Sequence, residues 1–263
     1  MPSSTPMLIQ IDEDRHWWFA TRTRAILALL DKYVGPGHHG RRVLDVGAGA
    51  GNMMHHLAHY GEVIGLEYNP KPIPIARSRG FDVRQGSATA IPFPDAGFDL
   101  VALLDTLEHI PDEAAVLHET WRVTKPGGWL IITVPALMWL WSQNDVLNQH
   151  QRRYTVPELR RKLTALGWHV PFCSYTFTLI FPLSATLILA RRLLGREPDL
   201  ASPHFDPEAY QVEMEPAPPW LNALLDRVGR LEVALLKRMP LPIGTSIVAV
   251  AHKPEERHVG HAP

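Results

Sequence analysis

The chain has 263 residues, with 26 basic and 27 acidic side chains, 46% hydrophobic residues and one cysteine. The charge balance argues against a surface built to follow nucleic-acid phosphates, and the hydrophobic share rules out a largely disordered chain. With Cys173 alone there is no internal disulfide and no cysteine-built zinc or iron–sulfur site. The first residues, MPSSTPMLIQIDEDRHWWF, carry no basic stretch followed by an apolar core, so a cytoplasmic enzyme is expected rather than a secreted one.

The first helical pattern runs over 15–33, where Trp18, Ile26, Leu29, Leu30 and Tyr33 share a face and Gly35-Pro36 ends it. Five short apolar runs closed by turn residues follow, at 41–49, 62–69, 81–87, 98–106 and 129–136. They hardly alternate, as expected of strands buried on both faces of a parallel sheet. Helical stretches at 51–60, 73–79 and 112–124 lie between them. Strand and helix taking turns predicts a doubly wound α/β fold.

Beyond the fifth strand, Thr155-Val-Pro-Glu158 is a capping box that opens a helix closed by Gly167. Residues 168–177 and 244–253 read as two last strands, which gives a seven-stranded sheet with a helical insertion before its final strand. That insertion holds an apolar run at 178–195, a proline-rich acidic linker at 198–219 and an amphipathic helix at 220–238. The expected organisation is an N-terminal helical lid (1–36), a main domain (37–177 with 241–253), the insertion (178–240) and a solvated tail (254–263).

The strongest chemical signal is VLDVGAGAGNM at 43–53, a strand that ends near Asp45 and runs into Gly47-Ala48-Gly49-Ala50-Gly51. Glycines serve where the chain turns with positive φ and where a ligand touches backbone. Asn52 stands where the dinucleotide pattern G-x-G-x-x-G needs glycine, and the Asp45 carboxylate suits a cationic ligand better than a pyrophosphate. Glu67 ends the next strand, where a carboxylate can accept both hydroxyls of a ribose.

With these residues the chain resembles the class I S-adenosylmethionine-dependent methyltransferases of the type 11 branch, from about 40 to 136. VLDVGAGAG is similar to that family's first motif, LEYNP to its second, IPFPDAGFDLVALLDTLEHIPD to its central block and VTKPGGWLIITVP to its fifth-strand segment. The resemblance implies S-adenosylmethionine as cofactor and S-adenosylhomocysteine as product. Asp45 and the turn at Gly47, Ala48, Gly49 and Gly51 would hold the methionine part, Glu67 the ribose, Tyr68 the adenine face, and Ser87 and Ala88 the adenine amine. Asp105 would lie near the sulfonium, with Arg22 adding a cofactor contact. The family often has Asp where this chain has Ser87, and an uncharged acceptor there is the weaker one.

The chemistry then calls for a proton acceptor near the ends of strands four and five. His109, in Asp105-Thr-Leu-Glu-His, is one candidate, since an imidazole titrates near neutrality. His150 and Asp145, in the polar stretch at 141–159, are the others. Trp17-Trp18-Phe19 with Arg22 resembles the opening helix of a methyltransferase subgroup, and the polar stretch resembles the His-bearing loop of quinone-pathway O-methyltransferases. Both imply an acceptor pocket bordered by Trp18, Arg152, Arg153 and Tyr154, whose arginines suit an anionic acceptor.

The expected reaction is methyl transfer to an oxygen or nitrogen, oxygen being favoured, of a small or lipophilic, even lipid-linked, acceptor. A nicotinamide-dependent oxidoreductase and a non-catalytic cofactor-binding adaptor are the alternatives. At 15 residues, 176–190 is too short to span a bilayer, so 178–240 is left to peripheral membrane contact, sheet cover or a homodimer interface. No metal centre is expected: His55, His56 and His59 share a helix with no partner carboxylate and read as surface residues.

Overall fold

A computed structural model describes residues 15–37, 40–194 and 218–255. The linker, the tail and the first residues read above fall largely outside that range. The elements in chain order are α1 (Trp17–Tyr33), β1 (Arg42–Val46), α2 (Met54–Leu57), β2 (Glu62–Glu67), α3 (Ile73–Ser78), β3 (Asp82–Gln85) and β4 (Phe98–Leu104). Then come α4 (Glu113–Val123), β5 (Thr124–Pro135), α5 (Gln143–Leu147), α6 (Val156–Ala165), β6 (His169–Thr176), α7 (Phe181–Leu193), α8 (Pro219–Leu236) and β7 (Ser246–His252).

The strands form one seven-stranded sheet in the order β3-β2-β1-β4-β5-β7-β6. The first five pair in parallel, and β7 runs antiparallel between β5 and β6. The order reverses between β1 and β4, so the carboxyl ends of those strands border the crevice where open α/β sheets take ligands. Strand periodicity decides how the sheet is covered. Leu44, Val101, Leu103, Leu130 and Ile132 face a cluster with α4 and α6, whereas Val43, Leu100, Ala102 and Ile131 face one with α1, α2 and α8.

Two elements depart from the sequence pattern. The helix expected over 51–60 shrinks to α2, because the glycine turn continues through Gly51 at φ 80°. In the other direction, β5 starts at Thr124, where a register shift opposite Phe98 and Leu100 lets Lys-Pro-Gly-Gly run on as strand.

The first helix is part of the core: Ile26, Leu29 and Leu30 have no exposed surface. It also carries α8. Asn222 accepts from Trp17 N at 2.9 Å, Asp226 pairs with Arg24, and Lys32 Nζ donates to Lys237 O at 3.0 Å. Where the two helices cross, a Cβ at Gly229 would overlap Thr21 Oγ1. From α8, the buried Glu232 carboxylate accepts from the backbone N–H groups of Phe177 and Leu179. Phe177, held in this way, stacks on Trp18 at 5.4 Å with the rings 3° apart. By contrast α7 buries only Phe181 and Ala185, and leaves Leu183, Leu187 and Leu193 exposed. Among the described residues no helix is long and apolar enough to cross a membrane.

Candidate cofactor and acceptor site

The turn after β1 is shaped by its glycines. Gly47 sits at φ 82°, and any side chain there would strike Thr106, whose hydroxyl donates to Val46 O at 3.1 Å. The N–H groups of Gly47 and Ala48 both donate to Leu66 O, at 2.8 and 3.1 Å. Gly49 N donates to Glu67 Oε2 at 2.8 Å, and Asn69 N to Glu67 Oε1 at 2.7 Å. Glu67 therefore fastens the turn as well as facing the crevice, and its lone pairs not used by these donors can still accept. At Gly49, φ 53°, an added Cβ would meet nothing within 4 Å, so the backbone lies open on that side.

Asp45 is buried, with only 3% of its surface exposed, and sits in register between Gly65 of β2 and Ala102 of β4. Burial pushes its carboxyl up to about 7; the Arg22 guanidinium pulls the other way and the Glu67 charge adds to the rise. The Arg22 cation near this buried carboxylate is itself paired with Asp105. An ammonium would supply a second cation, so the residues fit an amino-acid-bearing nucleoside with its ammonium toward Asp45. Arg22 reaches in from α1 and pairs with Asp105 at 2.5 Å. Tyr68 is 77% exposed at the end of β2, where its ring is available to a base. Ser87 Oγ and Thr89 Oγ1 share a hydrogen bond of 2.8 Å, and Ala88 is buried beside them.

Past β4, Asp105 turns the chain at φ 49° into a short 3-10 turn over Leu107–His109. The His109 ring meets the His150 ring edge-on at 4.7 Å. Partial burial, and then the neighbouring His150, lower the His109 pKa, which favours the neutral ring. His150 Nδ1 lies 2.9 Å from Asp145 Oδ1. If Nδ1 carries the proton, the Nε2 lone pair is the one left over.

Asp145 has no exposed side chain. Burial alone would raise its carboxyl, but hydrogen bonds from His150 and Arg153 overcome this and hold it at about 2. Arg153 grips it with Nε at 2.7 Å and Nη2 at 2.8 Å, and Ser142 N donates to it at 2.8 Å. Asp145, expected among the catalytic residues, is thus enclosed, with His150, Arg153 and Ser142 on its carboxylate.

The three polar residues expected at the acceptor pocket also have partners within the protein. The Arg153 charge is engaged by Asp145. Arg152 pairs with Glu113 at 3.3 Å and donates to Pro111 O at 2.7 Å. Tyr154 is fully buried, donating to Glu113 Oε2 at 2.7 Å. Trp18 is half-buried against Phe177, with Arg22 over its ring at 6.0 Å.

One residue given no role in the sequence stands out here. Glu108 is 1% exposed, and its Oε2 has no hydrogen-bond partner. Its only sequence signal was its place beside His109.

Residues 44–132 match the family model of the methyltransferase domain. Over 136 residues the chain is 33% identical to a "probable S-adenosylmethionine-dependent methyltransferase" of Mycolicibacterium smegmatis, covering 50% of this chain and 53% of that protein. Residues 44–132 are a class I S-adenosylmethionine-dependent methyltransferase domain. Demethylmenaquinone methyltransferase of Thermus thermophilus is 34% identical over 134 residues, covering 48% of this chain and 56% of its own. The ubiquinone biosynthesis O-methyltransferase of Alkalilimnicola ehrlichii is 35% identical over 105 residues, with 37% and 42% covered. The matches thus span about half the length of the curated relatives. Among solved structures, phosphoethanolamine N-methyltransferase 2 of Haemonchus contortus aligns at a TM-score of 0.57 and 20% identity, covering 88% of this chain and 52% of that one. That similarity speaks for the fold; in this chain the glycine turn follows β1, at the sheet's switch point.

Proposed function

We propose that the chain transfers a methyl group from S-adenosylmethionine to an oxygen, in preference to a nitrogen, of a small lipophilic acceptor. The observation that carries the choice of oxygen is the His109–His150 pair beside Asp105, since a hydroxyl acceptor has a proton to lose. When bound, S-adenosylmethionine supplies the electrophilic methyl group, so the protein has to orient, exclude water and accept a proton.

Asp45 would accept the ligand's ammonium and Arg22 its carboxylate, with the backbone of Gly47, Ala48, Gly49 and Gly51 against the methionine part. Glu67 would accept from the ribose hydroxyls. Tyr68 would cover the adenine, with Ser87 and Ala88 at its amine and Asp105 toward the sulfur. His150 Nε2 or His109 accepts the acceptor's proton, and Asp145 keeps His150 turned toward it. The quinone-pathway relatives favour a hydroxylated ring with an apolar tail. The exposed leucines of α7, next to Arg191 and Arg192, support its delivery from an apolar or membrane surface.

The test is turnover to S-adenosylhomocysteine with a panel of hydroxylated quinols. Replacing His150 by Ala is expected to leave S-adenosylhomocysteine affinity within about 2-fold and to lower turnover by ~100-fold, a typical loss for a proton acceptor. Wild-type turnover in that variant would remove His150 from the reaction.

Asp45 makes a pH prediction. Because burial holds its carboxyl at about 7 in the ligand-free protein, below that pH an arriving ammonium has to displace a proton. Affinity for S-adenosylhomocysteine should rise by about 10-fold per pH unit from pH 5 to 7 and level off above. Asp45→Asn should bind weakly at pH 8 and lose the slope. Calorimetry across that range reads both, and a flat wild-type profile would contradict the assignment.

A further inference from the structure

Glu108, His109 and His150 come from two segments 41 positions apart, and the fold ties these together: Gln151 N donates to Glu108 O at 2.7 Å. One ligand atom from each of the three side chains lies within 4.8 Å of the other two. Ligands on one tetrahedral ion lie about 3.4 Å apart, so side-chain rotations that draw the three atoms together by up to roughly 1.4 Å are needed to close on it. Two further features separate this group from a chance meeting of polar side chains.

The first is charge. Asp105, Glu108 and Asp145 gather around the 3-10 turn, and Arg22 and Arg153 pair with Asp105 and Asp145. Arg22, whose charge reaches Glu108, is itself paired with Asp105; among the described residues Glu108 has no ion pair of its own, and its buried Oε2 has no donor. Burying a carboxylate oxygen with no donor is costly, and a cation is the partner that removes the cost.

The second is the support behind His150. A carboxylate on Nδ1, itself held by Arg153 and Ser142, fixes the ring and presents Nε2 forward, as carboxylates do behind metal-binding histidines. We propose that Glu108, His109 and His150 hold a divalent transition-metal cation of the zinc class at the acceptor side of the site. Two imidazoles and one carboxylate suit such an ion, and His109 is exposed, which leaves coordination positions open toward solvent.

This inference rests on the methyl-transfer reading for its role and replaces the imidazole proton acceptor of that reading with a cation. The cation occupies the imidazole lone pairs and acts as the Lewis acid that makes an acceptor hydroxyl acidic, its proton passing to water. Glu108 and His109 are neighbours in the sequence, but the third member, His150, joins them only in the fold.

The full chain, stripped with a chelator and dialysed, is titrated with ZnCl2 by calorimetry and with CoCl2 by visible absorption. One saturable site is expected, at least ~10-fold weaker in Glu108→Gln and in His150→Ala. Glu108→Gln keeps shape and removes an unpaired buried charge, so it should stay folded; S-adenosylhomocysteine binding by each variant checks this separately. No saturable Zn2+ binding in the wild type, or equal binding in both variants, overturns the metal site. Wild-type protein that takes Zn2+ but not S-adenosylhomocysteine would overturn the methyl-transfer reading and leave the metal site standing.

Discussion

In a Glu67→Ala protein, affinity for S-adenosylhomocysteine is expected to fall by ~100-fold or more, about 3 kcal/mol. The loss has two sources that add. The variant lacks the carboxylate proposed to take the ribose hydroxyls, and the turn itself comes loose. Gly49 N and Asn69 N both donate to this side chain, at 2.8 and 2.7 Å. Without it the residue at φ 53° has no anchor toward β2. Glu67→Gln should fall between, since the amide oxygen accepts one of the two donors and the amide nitrogen none. Equilibrium binding measured on all three proteins checks this. Wild-type affinity in Glu67→Ala would remove the residue from the cofactor site.

An Asp145→Ala protein is expected to lose ~3–5 kcal/mol of stability, because the Arg153 guanidinium is left buried without its partner. The Ser142–Asp145 capping box that opens α5 goes with it, as does the support of His150. For a chain of this size the melting temperature should drop by roughly 10 °C. Removing both charges as Asp145→Ala with Arg153→Leu should recover part of the loss, which separates the cost of an orphaned charge from the worth of the pair. The same carboxyl contributes to acid stability. Held at about 2 when folded against 3.8 for the free group, it stabilises fully above pH 4 or so, and that contribution fades as pH falls toward 2. A melting temperature unchanged in Asp145→Ala would contradict this.

The sheet was legible in the chain because its strands are short apolar runs between turn residues, and the glycine turn because positive φ at 47, 49 and 51 demands that residue. The antiparallel pairing of β7 with β5 and β6 follows once residues 169–176 are recognised as strand. The partners of Arg152, Arg153 and Tyr154 are not legible in the sequence, for a physical reason. A dense polar stretch looks the same whether its charges face a ligand or one another, and only the positions of Glu113 and Asp145 decide. Glu108 was passed over because burial of a charged residue leaves no periodic trace in a three-residue turn. The N-terminal helix reads correctly as amphipathic, but its partner, α8, begins 186 residues beyond α1 and could not be inferred from spacing.

That partnership reaches further than packing. Gly229 lets α8 settle on Thr21, one position before the arginine that reaches Asp105. A methyl group at 229 would act as a wedge, lifting α1 and drawing the guanidinium out of the crevice without touching a single strand. The long connection after β6 and the grip proposed for Arg22 on the sulfur nucleoside are thereby mechanically linked. A chimaera that exchanges this connection to alter acceptor choice should carry its own residues 17–33 along with it.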